Sequence, residues 1–236
     1  MKNFYSNIIK PNPKNLNKII KILKKDGIIS LPTETVYGLA GNAYSKISIR
    51  KIFNVKKRSK KNPLIVHYYN LKDAKKDVVL DKKFHKIFNK FGPGPLTFIL
   101  KKKQSSRISP IACANLKTVG VRFPKNKIIR KILKDLSFPL AMPSANKSSS
   151  ISPVKATDVA EEFGNKIKIV DGGVSKIGIE STVLNLAGKI SILRPGIITS
   201  TQLEKILKIK INLKYNQKII KSPGSLRKHY SPGIPI

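Results

Sequence analysis

Apolar residues recur at strand or helix spacing along most of the chain. Short apolar or β-branched runs, separated by turn signals, predict strands. These runs are IISL (28–31), PLIVHYY (63–69), the second half of GPGPLTFIL (92–100), TVGVRF (118–123), LAM (140–142), IKIV (167–170), STVLNL (181–186) and ISIL (190–193). PTETVYGLAG (32–41) is predicted to be a loop, because it is rich in hydroxyl residues and glycine.

Several helices are predicted from apolar faces that recur every three or four residues. The predicted inner faces are Leu16, Ile19, Ile20 and Leu23, then Ile49, Ile52 and Phe53, then Phe84, Ile87, Phe88 and Phe91. Gly27 is the stop signal of the first helix, and Ser45 is the predicted N-cap of the second. Ser152 and Pro153 predict the start of a later helix that ends at Gly164. Thr201 and Glu204 have the capping-box spacing of a final helix.

These elements predict the α/β class and a single main domain. Helices and strands mix without strict alternation, which favours a large, twisted, mostly covered sheet. We assign residues 1–211 to this domain. The periodic pattern of apolar residues ends at about Asn212, and residues 212–236 have the proline and glycine content of a linker or tail.

The charge of the chain is strongly unbalanced. It has 48 Lys and Arg against 12 Asp and Glu, a formal net charge of +36. This field attracts polyanions, and one interpretation is nucleic-acid binding. The other is compositional drift, because Lys, Asn and Ile are all abundant and the lysines are scattered. Either way, the field favours an anionic substrate.

Cysteine and hydropathy patterns predict a cytoplasmic protein without a membrane span. The chain has a single cysteine, Cys113, which excludes an internal disulfide and disfavours a structural zinc site. No apolar run approaches the length of about 20 residues that spans a bilayer. The first residues lack the hydrophobic core and cleavage site of a signal peptide.

A cationic run follows the second predicted helix. Lys56 and Arg58 lie in this run. Cationic residues at this position either form a solvated helix end or bind a triphosphate. His67 lies in an apolar strand, where a satisfied core histidine and a ligand-binding histidine both remain open.

Arg122 lies inside an otherwise apolar strand and needs an anionic partner. Because the chain has few acidic residues, we expect a substrate carboxylate to be that partner. Ser144 and Asn146 follow another strand and are neutral groups that orient small polar ligands. No phosphate loop, dinucleotide fingerprint, catalytic triad or paired carboxylate is found, so the chemistry is expected to rest on positioning and positive charge.

Several stretches taken together resemble the threonylcarbamoyl-AMP synthase family, which has a YrdC-like fold. They run in order between about Lys14 and Thr201: PTETVYGL, Lys56-x-Arg58 leading into NPLIVH, GPGPLT, VGVRFP, PSAN, and VDGG with G-x-EST. SPGSLRKHYSP (222–232) resembles the interdomain linker of the two-domain branch of this family, and we expect the second domain of that branch to be absent.

The resemblance implies a large twisted sheet around a basic cavity, and it implies a set of ligand contacts. Lys56 and Arg58 would be catalytic. The implied ATP-binding residues are Lys56, Arg58, Asn62, Thr118, Asn146, Val154, Arg194 and Tyr230. The implied threonine-binding residues are Thr35, His67, Arg122, Ser144 and Ser181. Val154 departs from the family, which has threonine there, so one ATP contact lacks its hydroxyl.

The implied reaction joins L-threonine, bicarbonate and ATP into threonylcarbamoyl-AMP and pyrophosphate, for modification of adenosine 37 of tRNA. Magnesium would enter with ATP, with no metal ligands from the protein. Downstream threonylcarbamoyl-transfer proteins are the implied partners, and tRNA binding is expected to be non-specific. We expect the 222–236 segment to act as a lid over the cavity. The alternatives are a double-stranded RNA or tRNA binder without catalysis, and a carbamoyl-transferring relative.

Overall fold

The structure, a computed structural model, describes residues 5–148 and 150–213. Eleven strands and seven α-helices lie in this part of the chain. The strands are β1 (Ile8–Ile9), β2 (Ile29–Leu31), β3 (Gly38–Asn42), β4 (Ile65–His67), β5 (Leu96–Lys101), β6 (Thr118–Arg122), β7 (Leu140–Ala141), β8 (Lys168–Val170), β9 (Thr182–Asn185), β10 (Ser191–Arg194) and β11 (Asn212–Leu213). The helices are α1 (Pro13–Lys24), α2 (Lys46–Val55), α3 (Leu71–Asp77), α4 (Lys82–Phe91), α5 (Lys127–Lys134), α6 (Ala156–Phe163) and α7 (Ser200–Leu207).

The described strands form one mixed sheet, as predicted. Their order across the sheet is β1-β8-β2-β3-β7-β4-β6-β5-β9-β10-β11. Parallel pairs such as β4 with β6 and β5 with β9 alternate with antiparallel pairs such as β5 with β6 and β9 with β10. The fold class predicted from the sequence is therefore confirmed.

Strand directions bring five strand ends to one edge of the sheet. The carboxyl ends of β4, β6 and β10 meet the amino ends of β5 and β9 there. His67 pairs in register with Arg122, and Arg122 pairs with Thr97 on its other side. The candidate site lies at this edge.

Helix α1 shows how the local sequence sets an element. Asn12 caps it by accepting the N–H of Asn15 at 2.9 Å, and Pro13 takes the first position, where no N–H is needed. The four apolar residues predicted to face inward are buried. The chain leaves the helix through Asp26 at φ 57°, so the left-handed position lies one residue before the predicted stop at Gly27.

Two large hydrophobic clusters hold the helices against the sheet. One contains Leu16, Ile19 and Leu23 of α1 together with Ile129 and Ile132 of α5. The other gathers apolar residues of α2, α4 and α6 with those of the central strands. Phe84 of α4 packs edge-on against Phe98 of β5 at 4.7 Å between ring centroids. The edge that carries the site is thus backed by a packed interior.

Several predicted boundaries were wrong. The second half of 32–41 is strand β3 rather than loop, because it pairs with both β2 and β7. Helix α6 begins at Ala156 rather than at Pro153, since the carboxylate of Asp158 caps it by accepting the N–H groups of Val154 and Lys155. The Ser152 hydroxyl is engaged elsewhere, with Glu180 at 3.0 Å.

At the C-terminal end of the described chain, the capping box of α7 was placed two residues too late. The N-cap is Thr199 and its partner is Gln202. Strand β11, parallel to β10, lies within the 212–236 segment predicted as linker or tail. Helices α3 and α5 were not predicted. The rest of the segment predicted as a tail, including the predicted lid, lies outside the described residues.

Candidate functional site

A cavity opens at the sheet edge where the five strand ends meet. Its wall combines arginines and hydroxyl residues with a few apolar groups. Seven of the residues singled out from the sequence line it: Thr35, Arg58, His67, Arg122, Ser144, Ser181 and Arg194. Glu180 is the one acidic residue among the described lining residues, so the wall is basic, as expected.

Hydroxyl groups of the 33–37 segment form one wall. Thr33 Oγ1 lies 2.9 Å from Thr35 Oγ1 and donates to the carbonyl of Val36 at 2.7 Å. Tyr37 donates to the carbonyl of Gly173 at 2.7 Å and accepts the N–H of Gly172 at 2.9 Å. Burial raises the pKa of Tyr37 to about 12, so the hydroxyl stays neutral. These bonds fasten the wall to the 171–175 turn.

Arg122 is buried at the carboxyl end of β6 and has an acidic partner within the protein. Its Nη2 donates to Glu34 Oε1 at 2.8 Å. The expectation that the chain offers no carboxylate for Arg122 was therefore wrong. Arg122 Nε, however, is buried without a hydrogen-bond partner among the described residues. Because an unpaired buried N–H of a charged group is costly, this atom is suited to a ligand that brings an oxygen.

Glu34 is held on both carboxylate oxygens. Oε2 accepts the N–H groups of Lys125 and Asn126 at 3.0 and 3.2 Å, just before α5. Burial raises the pKa of Glu34, but the charge and hydrogen bond of Arg122 outweigh it, so the pKa lies below its usual value. The Glu34 carboxylate is therefore ionised at neutral pH.

His67 lies beside Arg122 on the neighbouring strand and is fully buried. Its Nδ1 is 3.2 Å from the carbonyl of Ile65. Burial, and then the positive charge of Arg122, lowers the pKa of His67 to about 3. The imidazole is thus neutral. Both interpretations left open from the sequence apply to His67, because the residue is buried in the core and also lines the cavity.

Arg194 lines the cavity at the carboxyl end of β10. Its Nε donates to the carbonyl of Ser181 at 3.0 Å and its Nη2 to Ser181 Oγ at 3.1 Å. Its Nη1 pairs with Glu180. Ser181 Oγ also lies 2.7 Å from Thr97 Oγ1. Arg194 is thereby fixed in orientation, and its two Nη groups retain further N–H donors.

Arg58 lies in the loop after α2. Its Nε and Nη2 donate to the Asn62 carbonyl at 3.1 Å and to Asn62 Oδ1 at 2.6 Å. Nη2 also donates to the carbonyl of Pro63 at 3.1 Å. These bonds occupy one edge of the guanidinium and leave Nη1 for a ligand. Asn62, predicted to bind ATP, supports Arg58 from behind.

Lys56 is buried behind the wall rather than on it. Its Nζ donates to the carbonyl of Ser144 at 2.6 Å and to the carbonyl of Asn146. Burial, and then the charge of Arg58, lowers the pKa of Lys56 to about 7. The two carbonyl contacts of Nζ anchor the 142–146 loop. Asn146 is engaged as well, donating from Nδ2 to the carbonyl of Ser150 at 2.5 Å.

Two predicted ATP-binding residues lie away from the described cavity wall. Thr118 begins β6, four residues and about 13 Å from Arg122 along the strand. Val154 lies in the loop before α6, where its carbonyl accepts the N–H of Ser175 at 2.8 Å. Tyr230 lies outside the described residues. The proposed ATP contacts of all three stay predictions.

Sequence reasoning missed Glu34 and Glu180. Both lie in motifs singled out from the sequence, PTET and G-x-EST, but neither was assigned a role. Their rarity was the available signal, because acidic residues are only 12 of 236.

Among the described residues, no group of three or more His, Cys, Asp or Glu is arranged to hold a metal ion. No described helix has the length and apolarity needed to cross a membrane.

The family model Sua5/YciO/YrdC, described as "Telomere recombination", matches residues 21–196. The chain belongs to this family. Two relatives called threonylcarbamoyl-AMP synthase, from Bacillus subtilis (strain 168) and Pyrococcus abyssi (strain GE5 / Orsay), are 37% and 36% identical over 95% and 91% of the chain. The chain covers 66% and 64% of their lengths, slightly less than two thirds.

A solved structure supports the same assignment. The crystal structure of P. abyssi Sua5 complexed with L-threonine aligns with a TM-score of 0.90 and 32% identity. The alignment covers 95% of this chain and 69% of that one. The resemblance found in the motifs and the fold it implied are both confirmed.

Proposed function

We propose that the chain synthesises threonylcarbamoyl-AMP from L-threonine, bicarbonate and ATP. The observation that carries the proposal is Arg122 Nε, a buried N–H of a charged group without a hydrogen-bond partner among the described residues, in the same cavity as Arg58 and Arg194. One arginine suits the amino-acid carboxylate and two suit phosphates. The names of the relatives and the L-threonine bound to P. abyssi Sua5 support this choice of substrates.

In this proposal the amino acid binds against β4 and β6. Arg122 receives the threonine carboxylate through Nε. The buried hydroxyls of Thr35 and Ser181, with the neutral His67 and Ser144, surround the amine and the side-chain hydroxyl. Neutral donors and acceptors suit these groups, because they orient a small polar ligand without adding charge.

ATP binds towards Arg58 and Arg194. Both guanidinium groups are held from behind by protein oxygens and keep N–H donors for phosphate. Lys56 adds positive charge behind them when it is protonated, and Asn62 and Asn146 hold Arg58 and the loop at Ser144. Thr118, Val154 and Tyr230 complete the ATP contacts that the family resemblance implies.

The reaction consists of two balanced steps. The threonine amine attacks bicarbonate, water leaves, and a carbamate anion forms. A carbamate oxygen then attacks the α-phosphorus of ATP, and the bond to the β-phosphate oxygen breaks to release pyrophosphate. Arg58 and Arg194 stabilise the charge that develops on the leaving group. His67, with a pKa near 3, is too weak a base to take the amine proton at neutral pH.

The residues present fit magnesium that enters with ATP. Mg²⁺ that enters with ATP is held largely by substrate phosphates and water, so the protein need not supply a ligand, and both oxygens of Glu180 are engaged by Arg194 and Ser152. Bound magnesium would neutralise phosphate charge.

We further propose that the protein is cytoplasmic and that the adenylate passes to tRNA threonylcarbamoyl-transfer proteins. Contact with tRNA itself is proposed to be non-specific.

The test is pyrophosphate release from ATP with threonine and bicarbonate supplied or omitted in turn. Release should require both, and it should fall in Arg58→Ala. The matched control is Arg107→Ala, because Arg107 is exposed and stacks on Tyr44 outside this cavity. Equal ATP turnover without threonine would exclude the proposed reaction.

A further inference from the structure

Two of the few acidic residues each pair with an arginine that lines the cavity. Glu34 pairs with Arg122 and Glu180 with Arg194. All four side chains are at most 10% exposed. A single neutralising carboxylate would satisfy the charge of a buried arginine. Charge compensation alone does not require the second oxygen of each glutamate, yet in both residues that oxygen is also hydrogen-bonded.

Glu34 links Arg122 to helix α5. One of its oxygens accepts from Arg122 at 2.8 Å, and the other accepts the two backbone N–H groups of Lys125 and Asn126. The carboxylate cannot rotate without breaking bonds to backbone that leads into the helix. The guanidinium is thereby held by Nη2, and its buried Nε has no hydrogen-bond partner in the part of the chain that the structure describes.

Glu180 has a similar arrangement beside Arg194. One oxygen pairs with Arg194 Nη1, and the other accepts the hydroxyl of Ser152 at 3.0 Å, in the loop before α6. Ser181 receives Nε and Nη2 of the same arginine. Three acceptors on the adjacent residues Glu180 and Ser181 fix the plane of Arg194, so its remaining N–H groups point in a constant direction.

We propose that Glu34 and Glu180 are positioning residues that divide the cavity between two ligands. Glu34 orients Arg122 for the amino-acid carboxylate, and Glu180 orients Arg194 for the nucleotide phosphates. The inference rests on the proposed function, because it takes the two ligands from it. It goes further by assigning each glutamate to one ligand.

The experiment measures direct binding of L-threonine and of magnesium-ATP by calorimetry, independently of turnover. Glu34→Gln should weaken threonine binding by about tenfold or more, with less than about a twofold change for ATP. Glu180→Gln should show the reverse. Glutamine keeps the shape and one acceptor oxygen, so the loss reports the charged contact. The exposed Glu161→Gln on α6 is the matched control, and each cavity variant is also a control for the other.

Equal weakening of both ligands in both variants would indicate a general structural role and overturn the inference. Tighter threonine binding in Glu34→Gln would also overturn it, since Glu34 would then compete with the ligand for Arg122. If the wild type binds neither ligand, the proposed function fails and the inference fails with it. If the wild type binds both and the variants do not differ, only the inference fails.

A double variant protects the test against misfolding. Glu34→Gln combined with Arg122→Gln leaves no uncompensated buried charge. If Glu34 acts only through Arg122, the double variant binds threonine as weakly as Arg122→Gln alone and no weaker. Additional loss in the double variant would show that Glu34 contacts the ligand itself, which contradicts a positioning role.

Discussion

Lys56 provides a test of how a buried cation behaves beside the cavity. Two influences oppose each other at its Nζ. Burial and Arg58 favour the neutral amine and lower the pKa of Lys56 from 10.5 to about 7. The carbonyls of Ser144 and Asn146 accept hydrogen bonds and favour the ammonium. The pH dependence of stability measures which influence prevails.

The magnitude follows from proton linkage. Between pH 7 and 10.5 the unfolded chain binds a proton at Lys56 that the folded protein does not, so this residue makes stability rise with pH across that window. Each pKa unit corresponds to about 1.4 kcal/mol, which sets a ceiling of about 5 kcal/mol. Because the carbonyl contacts reduce the effect, we expect a rise of about 1.5–3 kcal/mol between pH 7 and 9.5.

The assay is urea unfolding of wild type and Lys56→Met at several pH values. The free-energy difference between the two should change in favour of the wild type as pH rises. Taking the difference cancels the titration of the other lysines. Lys57→Met, next in the chain and exposed, should show no such trend. A difference that stays constant from pH 7 to 9.5 would show that Lys56 remains charged and refute the argument.

Three further outcomes are expected. Arg122→Ala should raise the KM for threonine by about 30-fold or more, from a loss of about 2–5 kcal/mol, while the KM for ATP changes little; an unchanged threonine KM in the folded variant would exclude Arg122 from the site. Tyr37→Phe removes the hydroxyl that bridges Gly172 and Gly173 and should destabilise the fold by about 1–2 kcal/mol, lowering Tm by several degrees; an unchanged urea midpoint would contradict this. Filter binding of tRNA across a salt series should show weak, non-specific binding that falls steeply with salt, and tight selective binding at high salt would favour the RNA-binding interpretation instead.

The fold was predictable where the hydrophobic pattern is simple. The inner faces of α1, α2 and α4 and the apolar runs of the central strands occur where they were predicted. Helix α5 was also predictable, because Ile129, Ile132 and Leu133 recur at helical spacing, but its many lysines obscure the stripe. The start of α6 was not, since the Ser152 hydroxyl is engaged by a glutamate distant in the sequence.

The candidate site was predictable as a set of motifs but not as a set of contacts. Counting acidic residues suggested that Arg122 would lack a protein partner, yet Glu34, 88 positions away in sequence, supplies one. Composition gives how many carboxylates a chain has and nothing about where folding places them. The same limit applies to Lys56, whose position two residues before Arg58 in the sequence gave no sign that it would be buried behind the wall.

The order of strands in the sheet explains why these contacts could not be predicted from the sequence. Along the chain β5 precedes β6, but in the sheet β6 lies next to β4, and β5 lies between β6 and β9. Because β5 lies between β6 and β9, Thr97 pairs with Arg122 on one side, and on the other its Oγ1 lies 2.7 Å from Ser181 Oγ. Ser181 in turn holds Arg194. Thr97, which neither charge nor spacing singles out, therefore connects the proposed carboxylate-binding and phosphate-binding arginines through a continuous series of strand pairing and hydrogen bonds.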